Sequence, residues 1–250
     1  MHQTCARLGH GHGHVVVLVT IALAGGGCKN MRVSAGPVVT EEGEFESCPR
    51  GTRFDKARSK KGIMQWCRKG DGEKHGPWAS YQLSGRPWVK GHYLDDLKHG
   101  HWTSWYKSGR KKTEGVFRKG EASGRWVTWY ENGNKKRDGQ FHAGKLHGVA
   151  TDYWPTGRPR HRGRYEHGKR HGKWEFWSML GRRMIHGEFE HGRRSGRWVY
   201  WHSNGNKRAE GLYLDDRRQG RWVHWNQAGK VDASGEYKGG DLVQGAPIPL

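Results

Sequence analysis

The sequence predicts an all-β fold, an elongated single-sheet meander of seven 24-residue β-hairpins. Three observations carry that expectation. Gly76, Gly100, Gly124, Gly148, Gly172, Gly196 and Gly220 stand 24 residues apart without a slip, and self-similarity at a fixed period of this length marks a repeat architecture. Two residues after each comes Trp78, Trp102, Trp126, Ala150, Trp174, Trp198 or Trp222, and five after it Tyr81, Trp105, Trp129, Tyr153, Trp177, Trp201 or Trp225. Apolar residues make up only 33% of the 250-residue chain, too few for an ordinary globular core of that length. The 14 Trp, 9 Tyr and 6 Phe make up the deficit, since each aromatic ring buries a large area. The 40 glycines are periodic, which argues for turns and against disorder.

Along the chain, residues 1–27 read as a signal peptide. Arg7 and several His precede a short apolar run from Val15 to Ala24, about the length of a signal core and too short to span a bilayer. The run ends in Leu23-Ala24-Gly25-Gly26-Gly27-Cys28, which resembles a bacterial lipoprotein box. The resemblance implies lipidation at Cys28 and a place in the bacterial cell envelope; ordinary signal cleavage and an uncleaved anchor are the alternatives. Residues 28–47 carry no helix or strand period and read as a flexible tether. Residues 48–71 form an N-terminal cap. In an exported chain Cys48 and Cys67 are left as an even pair, a plausible disulfide in an oxidising compartment. It would close a loop worth roughly 3 kcal/mol in chain entropy. In a cytoplasmic chain the two would be buried free thiols. Residues 72–240 hold the seven repeats. Residues 241–250 form a C-terminal cap and tail, in which Pro247 and Pro249 stop a further strand because proline cannot donate to a ladder.

One unit shows the local logic. Trp126-Val127-Thr128-Trp129-Tyr130 is aromatic and β-branched, as strands are. Asn132-Gly133 is a hairpin-turn signal, Lys135 to His142 is the returning strand, and the segment from Ala143 to Gly148 turns into the next unit. A third glycine, at Gly91, Gly115, Gly139, Gly163, Gly187, Gly211 and Gly235, falls inside the returning strand. Glycine weakens a strand unless something packs over it, and a Trp from the neighbouring strand is the expected occupant. Ala150, Pro155 and Pro159 break the pattern in the fourth unit, which predicts a local kink or weak point over 149–160.

Gly-x-Trp, a following aromatic, a turn glycine and then Glu114-Gly115-Val116-Phe117 or Glu210-Gly211-Leu212-Tyr213 resemble the MORN repeat in its bacterial variant form, found in chains termed YwqK-like antitoxin components. The resemblance covers all seven units. It implies a sheet of hairpins that serves as an interaction scaffold, and it implies no reaction.

Candidate sites follow from composition and position. The chain carries 45 Lys and Arg against 24 Asp and Glu, a formal charge of +21, and such a field favours anionic partners. Lys111, Lys112, Lys135, Lys136, Arg182, Arg183, Lys207 and Arg208 recur in register and would form a basic stripe for an anionic ligand or membrane. His75, His99, His147 and His171 recur too, but equivalent residues two strands apart are roughly 10 Å from one another, too far to share a metal, so they read as turn residues. No metal or cofactor is expected, and no Ser/His/Asp set, phosphate loop or isolated carboxylate pair points to catalysis. Nucleic acid is an unlikely partner for an exported chain. The expectation is a non-enzymatic, envelope-tethered scaffold for a protein or anionic ligand. The alternative is a cytoplasmic antitoxin-like protein that binds and neutralises a partner toxin.

Overall fold

The structure is a computed structural model and describes residues 46–249. The signal, most of the tether and Cys28 lie outside the described residues. What is described is one antiparallel sheet of 17 strands. A leading hairpin, β1 (Arg53–Ser59) with β2 (Gly62–Arg68), precedes the repeats. The seven repeat hairpins are β3 (Lys74–Tyr81) with β4 (Pro87–Leu94), β5 (Leu97–Trp105) with β6 (Lys111–Arg118), β7 (Glu121–Trp129) with β8 (Lys135–His142), and β9 (Lys145–Tyr153) with β10 (Pro159–Glu166). They continue with β11 (Lys169–Trp177) and β12 (Arg183–Glu190), β13 (Arg193–Trp201) and β14 (Lys207–Leu214), and β15 (Arg217–Trp225) and β16 (Val231–Lys238). A short β17 (Asp241–Gly245) closes the series. Each strand pairs with its neighbours in sequence, so the sheet is a meander.

Two kinds of turn alternate. Between units the loop is two residues, such as Ala143-Gly144 or His167-Gly168, and both residues have positive φ, the backbone of the primed hairpin turns. Asp95-Asp96 and Asp215-Asp216 fill this place without any glycine. Within units the loop is wider: the Tyr130 N–H donates to Asn134 O and the Gly133 N–H to Tyr130 O. The strands therefore begin earlier than the glycine period suggests. His75, His99, His147 and His171 are strand residues, not turn residues.

The third glycine is covered by a Trp, as expected, in five of the seven units, while Gly139 meets Ala150 and Leu146 and Gly235 meets Leu242 and the Ala246 carbonyl. A Cβ on Gly91, Gly115, Gly163, Gly187 or Gly211 would come within 2.1–2.2 Å of the indole of Trp102, Trp126, Trp174, Trp198 or Trp222. The ring needs the whole space above the backbone. The ladder slips register beside each such glycine, as between His186 and Glu188. There the indole N–H donates to the carbonyl of the next residue: Trp102 to His92, Trp126 to Val116, Trp174 to Arg164, Trp198 to Glu188, Trp222 to Leu212, at 3.0–3.1 Å. One glycine thus admits a large apolar ring, and the ring's only donor is satisfied, as burial requires.

These rings form a spine along one face. Trp78, Tyr93, Trp102, Phe117, Trp126 and Phe141 follow one another edge to face, with centroids 4.9–6.2 Å apart. Tyr165, Trp174, Phe189, Trp198, Tyr213 and Trp222 repeat the arrangement at 4.9–5.8 Å. Lys98, Arg170, Arg194 and Arg218 place their charged groups over the rings, 4.1–5.0 Å from the centroids, where the ring face attracts a cation. Trp174 and Trp222 are 0% exposed and Trp198 3%, so a single sheet buries a core without a second layer.

The fourth unit departs from expectation in an instructive way. The ladder runs through residues 149–160 with the same slip near the turn that the other units show, and Pro159 occupies that slip. The aromatic row is what breaks. Ala150 puts no ring between Phe141 and Tyr165, and Leu146, standing where five of the other six units have Lys or Arg and one has Ala122, closes over Gly139 at 3.1 Å. Trp126, next to the gap, is only half-buried. The buried apolar cluster accordingly begins at Ala150 and runs to Ile248.

Both ends of the spine are capped. Cys67 stands one period before Gly91 and is joined by a disulfide to Cys48, with Cα atoms 5.5 Å apart, and Pro49 packs against Gly76. At the other end Ile248, 4% exposed, closes the apolar cluster, and its N–H donates to the Tyr237 hydroxyl at 2.9 Å.

Candidate binding surfaces

The charged residues named from the sequence divide into rows with different partners. Lys111, Lys135, Arg183 and Lys207 each sit beside a carboxylate: Glu114, Asp138 at 2.9 Å, Glu175 at 3.1 Å and Glu210 at 2.7 Å. Lys111, Arg183 and Lys207 also lie over Trp129, Trp201 and Trp225 of the following unit. Lys112, Lys136 and Arg208 instead lie over Tyr106, Tyr130 and Tyr200. Arg182 is spent on the Ser203 carbonyl of the next turn. The Arg125 guanidinium holds the Asp138 carboxyl at about 2, with Lys135 adding to the effect against a smaller cost of burial.

Turn side chains tie one unit to the next. The Tyr106 hydroxyl donates to Trp129 O, the Tyr130 hydroxyl to Tyr153 O and Trp154 Nε1 to Trp177 O, at 2.7–3.0 Å. Asn134 and Asn206 donate to Pro155 O and Gln227 O. These positions are structural, which is why their residue types change while the bond recurs.

Where the aromatic row is interrupted, a polar group bridges the gap. Arg137 grips Asp152 through two bonds, Nε to Oδ1 at 2.6 Å and Nη2 to Oδ2 at 2.9 Å, and His161 Nε2 lies 2.6 Å from Oδ2. His161 also packs on Trp174, with centroids 5.8 Å apart. Burial alone would raise the Asp152 carboxyl, but the bonds from His161 and Arg137 outweigh it and hold it at about 2.

On the opposite face Tyr81, Trp105, Trp129, Tyr153, Trp177, Trp201 and Trp225 form a column. Six of its seven members are half-buried, Tyr81 being buried. A 230 Å³ cleft opens at its first end, lined by Ala79, Tyr81, His101, Thr103 and Trp105 among others. Glu46, also in its lining, meets His92 at 2.9 Å. Among the described residues no group of three His, Cys, Asp or Glu is placed to hold a metal; His75 meets Asp95 at 2.9 Å instead.

Residues 122–143 match the family described as MORN repeat variant. That segment is similar to the MORN repeat variant. The match falls on the third hairpin, and the other six hairpins keep its glycine positions and fold the same way around them. No curated protein matches the chain as a relative.

Sequence reasoning passed over two features that the hairpin geometry exposes. The spine-covering cations Lys98, Arg170, Arg194 and Arg218 recur at the 24-residue period and give way to Leu146 in the unit without its Trp and to Ala122 in the unit before it. That exchange was readable from the sequence. The free donors of the second aromatic column were not readable, since only coordinates distinguish a bonded indole from an unbonded one.

Proposed function

We propose that this chain is a non-enzymatic scaffold, tethered to the bacterial envelope through lipid on Cys28, that binds a protein or an anionic envelope component along its sheet. MORN repeats serve in general as protein- or membrane-binding scaffolds. The observation that carries the proposal here is the open sheet itself. One row of rings is spent on the core, while a second row of rings recurs with every hairpin, stays half-exposed in six of the seven, and carries a cation over Trp129, Trp201 and Trp225.

The tether is tested by fractionation. Cys28→Ala is expected to move the protein from the membrane to the soluble fraction and to abolish incorporation of labelled fatty acid. A variant that stays on the membrane, with no label in the wild type, rejects lipidation.

The charge is tested by co-sedimentation with vesicles of anionic phospholipid. Binding is expected to fall steeply as salt passes physiological strength, where the screening length is about 8 Å. Lys112→Glu with Lys136→Glu should weaken it several-fold without lowering the melting temperature, because neither side chain is held by a carboxylate. Vesicles left unbound even at low salt would reduce these cations to a solubility device.

A further inference from the structure

The six indoles Trp102, Trp126, Trp154, Trp174, Trp198 and Trp222 each donate their N–H to a backbone carbonyl. Those of Trp105, Trp129, Trp177, Trp201 and Trp225, on the opposite face, are different. Among the described residues none of their Nε1 atoms makes a hydrogen bond within the protein, and none is buried without a partner. Each is a half-exposed ring carrying an unused donor. They hold one position in five of the seven hairpins, with Tyr81 and Tyr153 in the other two, so between successive hairpins the spacing is two strands, about 10 Å. Trp177, Trp201 and Trp225 form an unbroken run of three.

We infer that this run binds a proline-rich polypeptide in the polyproline II conformation, one turn of ligand per hairpin. The inference rests on the scaffold proposal and narrows its protein partner to one conformation. A polyproline II helix rises about 3 Å per residue with three residues per turn, a repeat of about 9 Å, and it makes no internal hydrogen bonds. Its carbonyls are all free to accept, and one apolar ring per turn faces the same way. The column offers the complement, one ring and one N–H donor at nearly the same interval, and aromatic-lined grooves are the usual receptors for such segments. Other polypeptide conformations match less well. An extended strand repeats its side chains every two residues, about 7 Å, and an α-helix has no backbone carbonyl to spare along its length.

The charges beside the run also select. Glu175 accepts from Arg183, and Glu210 accepts from Lys207 and Arg197. The row is therefore near neutrality and does not favour a polyanion.

The test uses the full-length protein and a fluorescein-labelled peptide of ten prolines, long enough to pass three rings at about 3 Å per residue. Fluorescence anisotropy should show saturable binding that a Gly-Ser peptide of equal length does not reproduce. Trp201→Phe keeps a ring and removes the donor. It should weaken binding about tenfold, the loss of one hydrogen bond, with circular dichroism and melting temperature unchanged. Trp225→Phe should behave alike. Three results would overturn the inference: no saturable binding of the proline peptide, binding that both Phe variants retain in full, or tighter binding of a neutral β-linked hexasaccharide with the same sensitivity to Trp201→Phe. The fractionation and vesicle results do not depend on Trp201, so failure here leaves the scaffold proposal to stand or fall on them.

Discussion

Gly211→Ala is expected to destabilise the sheet about as severely as removal of the ring it faces. Trp222 is 0% exposed, and deletion of a buried Trp side chain costs about 3–5 kcal/mol. The added methyl of Gly211→Ala would sit 2.1 Å from Trp222 Cδ2 and 2.2 Å from Cε2. No rotamer of a methyl relieves that overlap, so the indole must leave its seat and lose both its packing and its bond to Leu212 O. The two substitutions should therefore fail to add. Gly211→Ala with Trp222→Ala should cost little more than Trp222→Ala alone, a coupling of about 2–3 kcal/mol for groups in direct contact. Gly139→Ala is the internal control. Its methyl would meet Ala150 Cβ and Leu146 Cδ2 at 3.1 Å, contacts that shifts of a few tenths of an ångström relieve, and its cost should stay within about 1 kcal/mol. Urea unfolding followed by far-UV circular dichroism measures all four. If Gly211→Ala unfolds at the wild-type midpoint, the fit of glycine to indole is not what holds the units together.

Trp198→Ala and Trp126→Ala should differ in the same experiment. Trp198 is 3% exposed and belongs to the full set. Trp126 borders Ala150 and has Ala122 where its counterparts have a cation, so the same deletion removes less buried area.

The hairpins and the glycine–indole contact were legible because they are periodic. A local arrangement repeated in unit after unit leaves Gly91 and Trp102 no role but to face each other. The turns were less legible. Asn132-Gly133 drew attention as the tight turn, yet the two-residue loops are the other set, and some hold Asp95-Asp96 or Asp215-Asp216 with positive φ at both residues. Local preference favours glycine there, but strand pairing on both sides imposes the backbone regardless of the residue. The basic residues were the least legible. Their recurrence was plain, but whether Lys111 faces a ligand or Glu114 depends on how the ladder slips near each turn, which changes the side-chain direction by one position. Arg137 and His161 hold the same place in successive units, where the others have Val, Thr, Ile or Ala, and Asp152 is likewise unlike its counterparts, so only the gap at Ala150 explains why they meet.

That meeting sets the second large effect. Asp152→Ala would leave Arg137 and His161 facing each other without the carboxylate between them. Breaking a buried pair by removing one partner costs about 3–5 kcal/mol, and the partial exposure of Arg137, 40% at its side chain, places the expectation at the lower end, about 3 kcal/mol. The dependence on pH has a definite sign. The Asp152 carboxyl is held at about 2 against an ordinary 3.8. A carboxyl depressed in the folded state contributes stability above its ordinary value and loses it as pH falls through the folded value. A depression of that size is worth about 2 kcal/mol, present in full above about pH 4 and gone near pH 2. Asp138 is also depressed, to about 2, so the wild type alone cannot separate the two. The difference between wild type and Asp152→Asn can. It should shrink by about 2 kcal/mol between pH 6 and pH 2, because protonation makes the wild-type side chain as neutral as the amide. A difference that stays constant over that range would mean that the carboxylate bridges nothing. The location adds a second readout. The aromatic row stops at Phe141 and resumes at Tyr165, and stability in a repeat array resides in the interfaces between neighbouring units. With the bridge removed, amide hydrogen exchange should show residues 74–142 opening independently of residues 159–238, whereas in the wild type the two protect each other.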